Sequence, residues 1–143
     1  MEQVQIFDKE FVGNLIPQKF PFVMVDKLYS FTETSIVSGL CIEESNIFVS
    51  DGKFLESGII EHMAQSVALH TGYQFYLRNE PAPTGYIGAI SSINITNLPQ
   101  LNDELVTTVN ILQEFGGVTL VSISTMLNDT EMASGQMKTV LAN

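Results

Sequence analysis

The sequence predicts an α+β protein in which an antiparallel sheet of about six strands wraps one long central helix. Three observations predict it. One stretch alone, SGIIEHMAQSVALHTGYQFYLRN at residues 57–79, has long helical character. That stretch is apolar on nearly every face, which marks a helix covered on all sides rather than one lying on a surface. Six strand-like runs flank it, two before and four after.

In chain order, residues 7–16 space Phe7, Phe11, Val12, Leu15 and Ile16 as a short N-terminal helix would, and Pro17 stops it. Residues 23–31 and 35–42 read as strands joined by the polar turn Thr32-Glu33-Thr34. Residues 43–56 read as irregular, with a turn at Asp51-Gly52. The long helix follows, with Ser57 as its expected N-cap and Arg78 near its end. After the loop NEPAPTG come strands at 86–96, 104–112, 118–127 and 132–141, expected as a meander. Gly116-Gly117 is a tight-hairpin signal, because both positions tolerate positive φ. No repeat or low-complexity tract divides residues 1–143, which read as one domain long enough to bury a core. A sheet can cover such a helix only by curling around it, the hotdog architecture.

Composition narrows the partners. Six Lys and Arg oppose 16 Asp and Glu, a formal net charge of -10. Nucleic-acid binding needs clustered cations to displace phosphate counterions, and docking on anionic lipid needs them too, so neither is expected. The single cysteine, Cys41, has no internal disulfide partner and suits a reducing compartment. MEQVQIFDKEF lacks the basic-then-apolar pattern of a signal peptide. No run approaches the ~18 apolar residues of a membrane span. The expectation is a cytoplasmic protein. No His/Cys/Asp/Glu cluster has metal spacing, so neither metal nor other cofactor is expected.

Two motifs carry the chemistry. LIPQKFPFVMVDKL at residues 15–28 presents Gln18 on a platform between Pro17 and Pro21, and IEHMAQSVALHTGY at 60–73 carries Glu61, Ala64 and Gln65. Together they resemble the FabA/FabZ-type 3-hydroxyacyl-(acyl carrier protein) dehydratases, and more closely the dehydratase-like hotdog proteins of bacterial aryl-polyene and related pigment clusters. Pro17, Pro21, Phe22, Val25 and Asp26 match the first family motif; Glu61, Ala64 and Gln65 match the second. YIGAISSINI and LPQLNDEL resemble the strand and turn after the family helix, so the resemblance covers almost the whole chain. It implies a dimer, homomeric or with another hotdog protein, acting on an acyl thioester of acyl carrier protein or coenzyme A. It also implies that histidine and acid meet across subunits.

Two departures stand out. Gln18 occupies the position of the family's catalytic histidine, and Gly58 lies near the family's Pro-Gly but out of register. Dehydration removes a C2 proton and protonates the departing C3 hydroxyl. An amide can orient a carbonyl or a water, but it cannot take the proton. By the resemblance, Glu61 and Gln18 are the catalytic candidates, with Gly58, Gln65, Phe22 and Pro21 as substrate-binding candidates. From the residues alone, Glu61 is equally an acid favoured in the first turns of a helix. Its apolar neighbours Ile59, Ile60 and Met63 instead suit a carboxyl for proton transfer. Gln65, one turn on, orients Glu61 or simply packs.

At 3.6 residues per turn, His62 points about 100° and His70 about 180° from Glu61, so neither shares its face. Both read as core or interface histidines, His62 retaining a route to the site across a dimer interface. Phe20, Phe22, Phe31, Tyr73, Phe75 and Tyr76 read as core. Lys19, Lys27 and Arg78 are the cations available for a local patch facing an acidic carrier protein. Three functions stay open: a dehydratase with an altered site, a hotdog thioesterase using Glu61, or a partner subunit lending its acid to another protein's site.

Overall fold

The structure is a computed structural model that describes residues 2–142. Its elements run β1 (Glu2–Ile6), α1 (Lys9–Asn14), β2 (Lys27–Thr32), β3 (Ser35–Cys41), β4 (Val49–Ser50) and β5 (Lys53–Phe54). Then come α2 (Glu56–Leu77), β6 (Gly85–Ile95), β7 (Glu104–Phe115), β8 (Val118–Leu127) and β9 (Thr130–Leu141). The large sheet has seven strands in the order β1-β2-β3-β7-β8-β9-β6, antiparallel throughout, and β4-β5 is a separate hairpin.

The sheet's inner face meets α2 as the strand period dictates. Leu105, Thr107 and Val109 alternate inward on β7, and Val121, Ile123 and Thr125 do so on β8. They share the interior with Ile59, Met63 and Leu69 of α2 and with Val12 and Ile16 below. Buried residues occur on successive turns and several faces of α2, so this helix is wrapped as its all-round apolarity predicts.

The N-cap of α2 is Leu55, with no side-chain cap bond, and Ser57 lies inside the helix. Glu56 in the first turn complements the dipole instead. At the other end Asn79 adopts φ 55°, while the Asn79 and Glu80 amides bond back to the Tyr76 and Phe75 carbonyls. That is a Schellman closure, with asparagine supplying the left-handed residue.

Several boundaries move for physical reasons. Residues 23–26 are not strand, because Met24 gives its N–H to Gln65 and its carbonyl to His62. Gly116 and Gly117, at φ 60° and 80°, make the tight hairpin that carries β7 through Phe115. The final strands are not a simple meander: β7, β8 and β9 are consecutive, whereas β6 crosses to the far edge and pairs with β9. β1 adds a seventh strand at the other edge, where short polar spacing gave no strand signal.

Gly72 fixes how α1 and its following loop sit on α2. A Cβ there would overlap the Leu15 carbonyl oxygen. Gly72→Ala should therefore destabilise the fold by about 2–3 kcal/mol through overpacking, despite alanine's better helix propensity. Thermal denaturation should show Tm lower by roughly 5–10 °C. An unchanged or higher Tm would show that the loop yields freely.

Candidate active site

α2 turns Glu61, Ala64, Val67, Ala68 and Thr71 toward one side, following its 3.6-residue period. These residues, with 14–18 from the loop after α1 and 82–87 leading into β6, line a cavity of about 480 Å³. The cavity runs along the helix, about 15 Å from Glu61 to Thr71 at 1.5 Å per residue. Small side chains, Ala64 and Ala68, keep it open on the helix side. Tyr86 and Ile87 of the edge strand β6, with Thr139 and Leu141 of β9, close the opposite wall.

Gln18 and Glu61 of a single chain both line this cavity. The resemblance implies that their family counterparts meet across subunits; here the two already share one chain's wall. The Gln18 Oε1 atom is buried and has no hydrogen-bond partner among the described residues. A buried acceptor left unpaired costs about 1–3 kcal/mol, so it favours a ligand that brings a donor.

Gln65 is fully buried and fixes Glu61. Its Nε2 donates to Glu61 Oε2 at 2.7 Å and to the Phe22 carbonyl at 2.8 Å, and its Oε1 accepts from the Met24 amide at 2.6 Å. Because a backbone N–H only donates and a carbonyl only accepts, the amide of Gln65 has one possible orientation. With Oε2 of Glu61 thereby engaged as an acceptor, Oε1 is the oxygen left free to exchange a proton with a ligand. Oε1 has no protein partner among the described residues.

Beneath Gln65 lies a second polar group. His62, fully buried, bonds the Met24 carbonyl through Nδ1 at 2.6 Å and the Thr107 hydroxyl through Nε2 at 2.7 Å. Thr107 meets Thr125 at 2.8 Å. Burial pushes His62 down to about 4, against the opposing pull of its bond to Met24. His70 is likewise lowered by burial; it bonds the Thr32 carbonyl and stacks on Phe31 at 4.9 Å. Neither histidine is among the cavity residues.

The lowered His62 has a stability consequence whose sign is fixed. The folded chain keeps the ring neutral where the unfolded chain protonates it, so the unfolded state binds more protons between pH 6.5 and about 4. The stability from a neutral His62 is complete above that window and is lost as pH falls through it. Urea midpoints should show a loss of about 2 kcal/mol between pH 7 and pH 5 from this residue, with His70 adding in the same direction. Asp26, which burial holds above the usual carboxylate range, works in the opposite sense at lower pH. His62→Asn should flatten the slope; an equal slope in that variant would show that His62 does not set it.

The remaining candidates lie off the cavity wall. Pro21 and Phe22 have exposed side chains, 54% for Phe22, which serves the site through its carbonyl bond to Gln65. Phe20, read as core, is 92% exposed. Gly58 is buried where a Cβ would strike the Phe54 ring at 2.5 Å. The three cations are each engaged locally. Lys19 is held by the Gly13 and Ile16 carbonyls, and Lys27 by Asp26 and Glu104; Arg78 lies over Phe75.

Sequence reasoning missed the Thr107–Thr125 pair and the wall at 82–87. A signal for the pair was present: both threonines fall on the inward parity of strands whose other inward residues are apolar.

A family model described as ApeP dehydratase, ApeP-like, matches residues 11–142. No curated protein matches the chain. Among solved structures, a chain of the dehydratase heterocomplex ApeI:P from Xenorhabdus doucetiae superposes with TM-score 0.86 at 17% identity, covering 92% of this chain and 91% of that one. A hypothetical thioesterase protein with coenzyme A from Streptococcus pneumoniae gives 0.66 at 10% identity, covering 81% and 87%. The E. coli PaaI protein of the phenylacetic acid degradation operon gives 0.64 at 11%, covering 79% and 80%. At these identities the likeness is one of fold.

Proposed function

The chain belongs to the ApeP-like dehydratase family, and on that footing we propose that it is the acid-donating subunit of a mixed 3-hydroxyacyl-thioester dehydratase. The observation that carries the proposal is the pair lining one cavity: a carboxyl held by Gln65, and an amide where the family has its histidine. Glu61 gives its Oε1 proton to the C3 hydroxyl, which leaves as water. A base from the partner takes the C2 proton, and the C2–H electron pair forms the new C2=C3 bond. Gln18 accepts a hydrogen bond from the C3 hydroxyl through its unpaired Oε1 and positions it without taking a proton.

The sheet supports a place for the partner. β6 is an edge strand, exposed along most of its length, and its Tyr86 and Ile87 line the cavity. A second hotdog subunit pairing along that edge lies directly against the cavity and covers the exposed strand. The similarity to a chain of a dehydratase heterocomplex supports a partner of the same fold. Co-expressed with each hotdog protein encoded beside it, the chain should co-purify with one of them. A clean 15.8 kDa monomer in every mixture would remove the proposal.

One observation favours a second reading. The Gln65 amide holds Glu61 by its Oε2 against the cavity, an arrangement that would equally suit a helix carboxylate directing a water at a thioester carbonyl. Coenzyme A in a thioesterase-like neighbour of this fold fits such a substrate. Release of free acid, rather than of enoyl thioester, separates the two.

A further inference from the structure

We infer that the buried chain Thr125–Thr107–His62 positions the site, orienting Glu61 through Met24 and Gln65. This rests on the proposed role of Glu61, and it assigns His62 a task without contact to substrate. The polarity of every bond is forced. The Met24 carbonyl only accepts, so Nδ1 of His62 carries the proton. Nε2 of the neutral ring then accepts from the Thr107 hydroxyl, whose oxygen in turn accepts from Thr125. Met24 is therefore clamped at both its carbonyl, by His62, and its N–H, by Gln65. With its oxygen taken by Met24, Gln65 must turn its NH₂ to the Phe22 carbonyl and Glu61 Oε2.

No member of the chain has an alternative arrangement, and all of it except the Glu61 carboxyl is buried. His62 and Gln65 both project from α2 onto the same short segment, residues 22–24, so the helix grips that segment at two points. Loss of the His62 bond leaves the Met24 carbonyl without a donor, frees the segment to shift, and lets Gln65 follow it away from Glu61. The carboxyl then stays in the cavity but loses its fixed direction.

The test compares two amides at position 62. Asparagine carries its nitrogen on Cγ, as Nδ1 is carried, and still reaches Met24. Glutamine carries its nitrogen one bond further out, on the Thr107 side. In the complex with a histidine-bearing partner, His62→Gln should lower kcat by roughly tenfold to a hundredfold, as expected for a misdirected catalytic group, with KM changed by less than about twofold. His62→Asn should recover most of that loss. In the folded subunit, ¹⁵N NMR should show the Gln65 side-chain amide exchanging faster in His62→Gln and near the wild-type rate in His62→Asn. Thr107→Val, nearly isosteric and retaining the fold, should show the same two changes more weakly, because the ring is then held on one side only. Unchanged Gln65 exchange in Thr107→Val, or equal behaviour of the two amide variants, would overturn the inference. A wild-type complex without turnover would remove the proposed function instead, and the exchange measurement would still decide whether His62 positions Gln65.

Discussion

Glu61→Gln in this subunit alone should lower water elimination by the mixed complex roughly 10²–10⁴-fold, the usual worth of one acid–base group. The replacement has the same shape and can still accept from Gln65 Nε2 through its carbonyl oxygen, so the anchor at Oε2 survives. What disappears is the proton on Oε1, the oxygen with no protein partner among the described residues. Folding should be unaffected, and KM should change far less than kcat, since the interaction removed operates during proton transfer. The check is steady-state kinetics on complexes assembled from wild-type and Glu61→Gln subunits, with thermal denaturation as control. Retained turnover would make Glu61 a structural acid.

The second large effect runs in the other direction. Gln18→His should raise the dehydratase turnover of this chain in the absence of any partner. Gln18 and Glu61 already line one cavity, so a histidine there would supply the missing base beside the acid. The gain should reach at least tenfold, a fraction of the roughly 10²–10⁴ that such a group supplies. It stays below the full value because Gly58, the nearest counterpart of the family's Pro-Gly, is buried against Phe54 and does not line the cavity. Enoyl-thioester formation by purified Gln18→His is the measurement. No gain would mean that the cavity serves another step, and free-acid release would then be the assay.

The fold was legible because its strongest signal is physical. An all-round apolar helix has to be wrapped, and α2 is. Six strands were readable from alternation and turn residues, with both glycines of the β7–β8 hairpin at the positive φ that the sequence demands. Strand order was not, since β6 pairs with β9 rather than with its successor, and no local pattern encodes that crossing. Residues 23–26 misled because Val-Met-Val has strand character, while the hydrogen bonds of Met24 go to side chains of the helix.

At the site, Glu61, Gln65 and Gln18 were singled out from the motifs. Their arrangement around Phe22 and Met24 depends on backbone groups that no residue pattern reveals. His62 was placed correctly away from Glu61 by helical geometry, yet its connection to Glu61 runs through a distant loop and stayed hidden. Of the three cations available for a local patch, Lys27 is the one paired with acids, Glu104 at 2.6 Å and Asp26 at 3.2 Å.

On the proposed function, Glu61 is a working acid awaiting a base from elsewhere. The most direct test is the rate of enoyl-thioester formation from a 3-hydroxyacyl thioester, measured side by side for this chain, its histidine-bearing hotdog partner, and the purified complex of the two. The complex should exceed the sum of the separate chains by at least tenfold, and Glu61→Gln in this subunit should abolish the excess, as expected for an acid–base group. A complex no faster than the partner alone, or one indifferent to Glu61→Gln, would contradict the proposed function.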